Sequence, residues 1–319
     1  MKTIKFDFYN ANKELWLQNF CQAFSLNQKD VREFFRNSID SDITPNNIVS
    51  IFNPNLKHYD SSSIEIVCRH MTTTNDIEIS NFKKVGLLDL RNVLRINSPL
   101  SQYMHQNGIS IDIDNKEIQI NDIKYPITLH GEPCQKCVKK LTKRCQSFEK
   151  CNLRRALDTL GLKLYEYGAT LEFFIHATIE QMKRYSSISS CPEILQTLDK
   201  IVAAIRNAPN HYDLSYEWAR NHPKCYMIEF PAKLSDMETY APIDYQSAYE
   251  EYGTCIVKSG YTYDDYIYER DKIPQNVFDN MVFLRWFISI YAFDSEQLGS
   301  LLPGISAPTD KLKFIPITK

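Results

Sequence analysis

The sequence predicts an α+β domain that is interrupted by a helical insert, and three strand patterns with a helical region between them lead to this fold class. Apolar and polar residues alternate, as in strands, over Ser63–Cys68 and again over residues 109–123. A third strand pattern covers Cys225–Phe230. Between the second and third patterns, apolar residues recur at helical spacing from Leu153 to Tyr185 and from Ile194 to Ile205. Strands therefore flank a long helical region, as an insert within a sheet domain would produce.

These patterns divide the chain into four segments. Residues 1–57 are predicted to form an N-terminal helical segment, and residues 58–128 the first half of the α+β domain. Residues 129–208 form the helical insert, and residues 209–319 form the second half of the domain. Tyrosine is concentrated in the last third, and because tyrosine favours strands we expect more strands there, including an exposed strand and hairpin over Tyr261–Tyr268.

Composition and charge exclude several classes of protein. The chain has 319 residues, of which 43% are hydrophobic and 24% charged, with a formal net charge of −2, which is unlike a disordered or uniformly basic protein. The longest apolar run, Met281–Phe293, falls short of the ~18 residues that a membrane span needs and contains Arg285. The N-terminal residues lack the apolar region of a secretory signal. We therefore expect a soluble, cytoplasmic protein with no membrane partner.

Four of the nine cysteines are clustered and predict a metal site. They are Cys134, Cys137, Cys145 and Cys151, and the first two form a CxxC pair. Four thiolates satisfy tetrahedral Zn²⁺ with no open position, so such a site would be structural. An iron–sulfur cluster uses the same ligands, and reduced thiols in a helical hairpin are a further interpretation. His130 would be able to replace one cysteine.

A basic patch accompanies the cysteines. Residues 136–155 contain one acidic residue, Glu149, against eight basic ones, which are Lys136, Lys139, Lys140, Lys143, Arg144, Lys150, Arg154 and Arg155. Part of this charge would offset a four-thiolate site. The remainder is the electrostatic pattern expected of contact with a phosphate backbone, so nucleic acid is one predicted partner. A solvated surface beside a small metal site is the other interpretation.

Three segments resemble, in their order and predicted secondary structure, the ADP-ribosyltransferase superfamily, in particular its nucleic-acid-modifying toxin and RNA 2′-phosphotransferase branches. The first, Ile64–Asn75, is similar to the family's opening strand with its His-x-Thr end, and a Gly-Leu pair follows at residues 86–87. The second, Ser215–Phe230, resembles the family's helix leading into a central strand. The third, Asp265–Pro274, is similar to the last motif, in which a Glu opens a strand that ends before an Ile-Pro pair. The resemblance implies a split, mixed or antiparallel sheet of ADP-ribosyltransferase type, interrupted by the insert with the four cysteines.

The resemblance also implies a site for NAD. Cleavage of NAD passes through an oxocarbenium-like state, so the site must hold the nicotinamide, the pyrophosphate and the ribose. Arg69 or His70 would contact the adenosine side or the phosphates, and Thr72 would bond the ribose or stabilise the turn. Tyr216 or Trp218 would provide a stacking wall, although Trp218 equally fits a core position on a short amphipathic helix.

Two acidic residues compete for the catalytic position that the resemblance implies. By the family's spacing the nearest match is Asp265, eight residues before Ile273, whereas Glu269 lies four residues before it. Residues four apart on a strand share a face, so either carboxylate would reach the site. Aspartate is shorter than glutamate by one methylene, and positioning errors of about 1 Å can cost about 10²-fold in rate. A relative without turnover is therefore an alternative.

Two functions follow for testing. The first is an NAD-dependent ADP-ribosyltransferase that modifies a macromolecular target, with nucleic acid as one candidate, in a bacterial toxin or defence role. The second is an inactive NAD- or nucleotide-binding protein, or a nucleic-acid or protein interaction module, with a structural zinc site. The mismatch of the carboxylate favours the second function, and the His-Met-Thr sequence at residues 70–72 favours the first.

Overall fold

The computed structural model describes residues 3–57, 59–129, 151–167, 170–184, 190–206, 213–239 and 245–317. The fold is α+β, which confirms the predicted class. The chain divides into two compact units, each assembled from three separate segments. Unit 1 comprises Met1–Arg69, Phe173–Thr178 and Phe230–Ser300, and unit 2 comprises His70–Glu172, Ile179–Glu229 and Leu301–Lys319.

Helices and strands alternate irregularly along the described residues. The helices are α1 (Lys13–Ala23), α2 (Gln28–Asn37), α3 (Pro45–Phe52), α4 (Asp76–Val85), α5 (Leu90–Arg95), α6 (Pro99–Gln106), α7 (Asn152–Leu162), α8 (Ile179–Arg184), α9 (Glu193–Arg206), α10 (Asp213–Asn221), α11 (Tyr245–Lys258), α12 (Tyr263–Tyr268) and α13 (Gln275–Phe293). The strands are β1 (Ile4–Phe6), β2 (Ile64–Thr74), β3 (Ile109–Asp112), β4 (Glu117–Ile120), β5 (Ile123–Pro126), β6 (Glu172–His176), β7 (Lys224–Lys233), β8 (Gln297–Ser300) and β9 (Lys313–Ile317).

The larger sheet has the strand order β8-β6-β2-β7-β9, and β1 pairs in parallel with β2. Within unit 1, Ile4 of β1 lies opposite Ile64 of β2. Arg69 of β2 lies opposite Phe174 of β6, and these two strands are antiparallel. Within unit 2, β7 and β9 are antiparallel, with Cys225 opposite Ile317. The division between the units passes through β2, β6 and β7.

Aromatic side chains form the core of unit 1. Phe20 stacks on Phe287 with ring centroids 4.0 Å apart, and Phe6 meets Phe283 edge-on at 4.8 Å. Both partners from the C-terminal half lie on α13, which is buried on nearly all sides. The apolar run seen in the sequence at this helix therefore belongs to a protein core. No helix in the described part of the chain is both long enough and apolar enough to cross a bilayer.

The core of unit 2 joins a three-stranded sheet to several helices. In this sheet β4 lies between β3 and β5, and Ile111 is paired with Ile118. Ile118 is buried together with Leu157 of α7 and Leu198 of α9. The hairpin predicted over residues 109–123 is confirmed, and the alternation of isoleucine with polar residues explains it, because one face of each strand packs on the helices.

The strand and hairpin predicted over Tyr261–Tyr268 are wrong, because this segment forms α12. Thr262 caps the helix by accepting from the backbone N–H of Asp265, and the Asp265 carboxylate accepts from the N–H and hydroxyl of Thr262. This capping box begins a helix whose Tyr266 is buried, and the helical signal outweighs the preference of tyrosine for strands. The wider expectation of more strands in the last third is met by β8 and β9, although the helices α11 and α13 take up much of that region.

The continuous helix predicted from Leu153 to Tyr185 is wrong as well. Helix α7 ends at Leu162, and a π-helical turn, strand β6 and the short helix α8 follow. Phe173, Phe174 and Ile175 are buried in β6, and such a run of aromatic and β-branched residues favours a strand over a helix. In the N-terminal segment, which is otherwise helical as predicted, β1 was not expected.

Candidate functional site

The main pocket of the described residues lies within unit 2 and has a volume of about 610 Å³. One wall is the end of β2, and a second is helix α4 with the Gly86–Leu90 segment that follows it. The remainder comes from α5 and the start of α6, from Lys163 and Thr170–Glu172, and from the start of α9. A cavity of this size accommodates a mononucleotide or one half of a dinucleotide.

The sequence around α4 fixes the shape of the pocket. Asn75 ends β2 and begins the helix, because its side chain accepts from the backbone N–H of Glu78 at 3.0 Å. Gly86 ends the helix with a φ of +83°, which side chains other than glycine rarely adopt. A Cβ atom at Gly86 would lie 2.5 Å from the carbonyl oxygen of Ala307. The two ends of α4 therefore hold Glu78 and the Gly86–Leu88 segment against the cavity.

His70 lies at the edge of the pocket in a defined tautomer. Its Nδ1 is 2.9 Å from the carbonyl oxygen of Glu172, which can only accept, so Nδ1 carries the proton. Burial lowers the pKa of His70 below its usual range, and the bond to Glu172 opposes this effect. Near neutral pH the ring is therefore uncharged, with Nε2 as a hydrogen-bond acceptor.

A buried acid and a buried histidine meet behind the pocket. Glu78 lines the cavity, is 6% exposed, and has its Oε2 4.0 Å from Nε2 of His222. The Nδ1 of His222 donates to the carbonyl of Trp218 at 2.8 Å, and the two rings stack at 3.6 Å. Trp218 in turn donates from Nε1 to Thr73 Oγ1 at 3.3 Å. The end of α10 is thus attached to two residues of the pocket wall.

Burial perturbs the acid of this pair. It raises the pKa of Glu78 to about 7, and a hydrogen bond from the Thr74 side chain opposes the shift in part. The cause is the loss of hydration of the charged carboxylate. Ionisable groups with such shifts, when they lie in a cleft, are more common at functional sites than elsewhere.

Helix α10 is itself positioned by a buried carboxylate on α9. Asp199 accepts from the backbone N–H groups of Leu214 and Ser215 at 2.9 and 3.1 Å, and from the Ser215 hydroxyl at 2.6 Å. These bonds satisfy donors of the first turn of α10 that the helix itself cannot satisfy.

We expect Asp199→Ala to lower the free energy of unfolding by about 2–3 kcal/mol, because two backbone donors and one hydroxyl lose a charged partner. Denaturation with urea measures the change. Lys200→Ala, at the exposed neighbouring position, is the control and should change the value by less than about 0.5 kcal/mol. Equal effects of the two substitutions would mean that the bonds of Asp199 do not stabilise α10.

The structure places the predicted NAD-binding residues differently from one another. His70 and Thr72 line the pocket. Arg69 belongs to unit 1, where its guanidinium lies over the ring of Tyr9 at 3.6 Å. Trp218 is 1% exposed, so it packs as a core residue rather than presenting a face for stacking, whereas Tyr216 is 69% exposed on α10.

The two predicted catalytic carboxylates lie in unit 1 and already have partners. Asp265 takes part in the capping box of α12 and in an ion pair with Lys272 at 3.6 Å. Glu269 pairs with the same lysine. The role of Asp265 in the helix cap is enough to explain an aspartate at this position. A catalytic role for either residue stays a prediction.

The cysteine cluster falls mostly outside the described residues. Cys134, Cys137 and Cys145 lie there, as do His130 and the basic residues of the patch up to Lys150. Cys151 is described, and its thiol is partly buried immediately before α7. Among the described residues, no group of three or more His, Cys, Asp or Glu side chains is arranged to hold a metal ion. The zinc site and the nucleic-acid patch therefore stay predictions.

Sequence reasoning missed Glu78 and His222. In the sequence, Glu78 is an ordinary acidic residue in the first turn of a helix, and His222 follows the helix of the second segment. They are 144 positions apart, and no local pattern pairs them. The sequence held one indication that the two residues are close. The order of the first two resembling segments predicts that the elements carrying Glu78 and His222 are neighbours.

No protein-family model matches the chain, and no curated protein or solved structure matches it. The fold and the pocket are therefore interpreted from the residues of this chain.

Proposed function

We propose that the protein binds NAD in the pocket of unit 2 and acts as an ADP-ribosyltransferase-like protein. The observation that carries the proposal is that the end of the first resembling segment and the Gly-Leu pair that follows it line one cavity. His70 and Thr72 come from the end of β2, and Gly86 and Leu87 from the turn after α4. Of these residues, the resemblance implied NAD contacts for His70 and Thr72.

The second resembling segment supports the same site. Its helix α10 packs behind the wall that β2 and α4 form, through the bonds from Trp218 to Thr73 and the approach of His222 to Glu78. The resemblance identifies this segment as a helix that leads into a central strand. In the structure this helix contacts the wall of the pocket through Thr73 and Glu78, although none of its residues lines the cavity.

The pocket residues offer some of the interactions that NAD requires. The free Nε2 position of His70 would accept a hydrogen bond from a ribose hydroxyl, and Thr72 would donate one. Apolar side chains such as Leu87 and Ile194 also line the cavity and would cover a flat ring. These contacts position the nucleotide, and the transfer step additionally needs a carboxylate near the ribose.

Binding without turnover is the second candidate function. The observation that favours it is the engagement of Asp265 in a helix cap and of Glu269 in an ion pair. In this version the pocket retains NAD or a related nucleotide, and the protein acts as a binding module. A macromolecular target and a structural zinc site at the cysteine cluster remain part of both candidates.

The test is titration of the protein with NAD by calorimetry. We expect micromolar affinity, weakened about tenfold in His70→Ala because one buried hydrogen bond to the nucleotide is lost. His105→Ala, an exposed histidine near the end of α6 in the same unit, is the matched control and should bind as the wild type does.

Two outcomes separate the candidates. Release of nicotinamide from NAD by the wild type, weakened in parallel with binding in His70→Ala, supports the transferase. Binding with no release in the presence of candidate acceptors supports the module. Absence of binding at millimolar NAD contradicts the proposal as a whole.

A further inference from the structure

The lining of the unit 2 pocket is acidic. Four of its side chains are carboxylic acids, namely Glu78, Asp89, Glu172 and Glu193. One lysine, Lys163, lines it too, and this lysine pairs with Glu193. His70 is uncharged near neutral pH for the reason given above. A lining of this kind attracts positive charge and does not suit a pyrophosphate.

Glu78 differs from Asp89 because one of its two carboxylate oxygens, Oε2, is buried without a hydrogen bond. Asp89 caps α5 and accepts from the backbone N–H and the amide of Asn92. By contrast, Oε2 of Glu78 is shielded from solvent without a hydrogen-bond partner, and the nearest group is Nε2 of His222 at 4.0 Å. A buried carboxylate that is left in this state is costly unless a proton or a positive charge is close to it.

The hydrogen bonds of His222 determine how the pair holds a proton. Because its Nδ1 donates to the carbonyl of Trp218, the Nε2 atom that faces Glu78 carries a proton only when the ring is charged. One proton placed on either Glu78 or His222 therefore makes the pair neutral overall. Removal of that proton leaves a net negative charge in the pocket wall.

We propose that Glu78 and His222 form a proton-sharing pair that selects a cationic ring in this pocket, so that the pocket takes the positively charged nicotinamide end of NAD rather than its phosphates. This inference rests on the proposed function and specifies which part of NAD the pocket receives. When the cationic ring binds, the shared proton leaves for solvent and the negative wall faces the ring. One positive charge enters the pocket as one proton leaves it, so the net charge is unchanged and no further reactant is needed.

The sign of the pH dependence follows from the raised pKa of Glu78. Below about pH 7 the pair keeps its proton, and above it the wall is negative, so binding of a cation strengthens as pH rises. The charged and titratable groups that surround Glu78 from the other walls are His70, Asp89, Lys163, Glu172 and Glu193, together with His222 behind it.

NAD and NADH provide matched probes, because the nicotinamide ring is cationic in the first and neutral in the second. We expect the ratio of their affinities to shift in favour of NAD by on the order of fivefold between about pH 6 and about pH 8.5. In Glu78→Gln the ratio should stay constant within about twofold, since the amide has no charge to lose. Asp76→Asn removes an exposed charge from the same helix, away from the pocket lining, and should retain the wild-type dependence.

The outcomes distinguish this inference from the proposed function. If neither NAD nor NADH binds, both fail. If both bind and the wild-type ratio does not change with pH, or if Glu78→Gln keeps the change, the proton-sharing pair is wrong while the NAD site stands. Glu78→Gln is expected to fold, because glutamine has the shape of the protonated acid, and circular dichroism verifies this. If it does not fold, the pH dependence of Glu78→Leu decides in its place, and there too the ratio should be constant, because leucine has no charge to lose.

Discussion

Replacement of Asp279 by alanine is expected to lower the free energy of unfolding by about 3–4 kcal/mol, because a buried acceptor for three side chains disappears. Asp279 is on α13 and is 2% exposed. Its carboxylate accepts from the hydroxyls of Ser61 and Thr239, each at 2.7 Å, and from the Gln275 amide at 2.9 Å. In the alanine variant these three donors would be buried without the carboxylate that accepts their hydrogen bonds.

Two controls make the measurement on Asp279 specific. Asp271→Ala removes an exposed carboxylate four positions before the same helix begins, and should change the unfolding free energy by less than about 0.5 kcal/mol. Asp279→Asn keeps one acceptor oxygen and should give a loss between those of the two alanine variants. A loss below about 1 kcal/mol for Asp279→Ala, measured by chemical denaturation, would show that the three donors find other partners.

Gly161→Ala is the second substitution with a large expected effect, and two opposing terms decide its sign. Alanine in place of glycine within α7 would stabilise an isolated helix by about 1 kcal/mol. The added Cβ, however, would lie 2.0 Å from the carbonyl oxygen of Thr128 and 3.1 Å from a methyl group of Leu129. The helix and the chain after β5 would have to move apart, and overpacking of this kind costs about 1–3 kcal/mol and occasionally more. Because the collision is with backbone, the cost is at the upper end of that range, and we expect a net loss of about 2 kcal/mol.

Gly304→Ala is the comparison for this second prediction. Gly304 has a φ of +82° and no heavy atom within 4 Å of the position where a Cβ would be. Its substitution therefore introduces backbone strain of about 1–2 kcal/mol without a collision. Thermal and urea denaturation of both variants would separate the two costs. A stabilised Gly161→Ala protein would mean that α7 approaches Thr128 less closely than the structure places it.

Local signals predicted much of the fold, and they worked where the whole element is specified by neighbouring residues. The isoleucines of residues 109–120 alternate with polar residues, and the predicted hairpin forms there. They failed where distant packing decides the structure. Tyr263 and Tyr266 have the composition of a strand, yet the cap at Thr262 and the burial of Tyr266 produce a helix.

The candidate site was predictable to the extent that it lies on one segment. His70 and Thr72 were identified from the end of a strand pattern, and the structure places them in the pocket wall. Glu78 gains its raised pKa from burial, and the packing of α10 brings Nε2 of His222 within 4.0 Å of its carboxylate. Because desolvation is a property of the folded molecule, no reading of the residues around Glu78 would reveal it.

The division of the chain into interleaved units has a consequence for folding during synthesis. Each unit takes its segments from three places, and the last segment of unit 2 begins at Leu301, directly after unit 1 ends at Ser300. Strand β7 pairs with β9, which places Glu229 opposite Lys313, 84 residues further along the chain. This pairing closes a long loop, so the conformational entropy of that loop is lost late in folding. A chain leaving the ribosome would therefore hold the unpaired edge of β7 open until its final strand arrives. An unpaired strand edge can pair with the wrong segment, so early collapse of the chain must leave the edge of β7 uncovered. Folding that depends on such long-range pairings is slow.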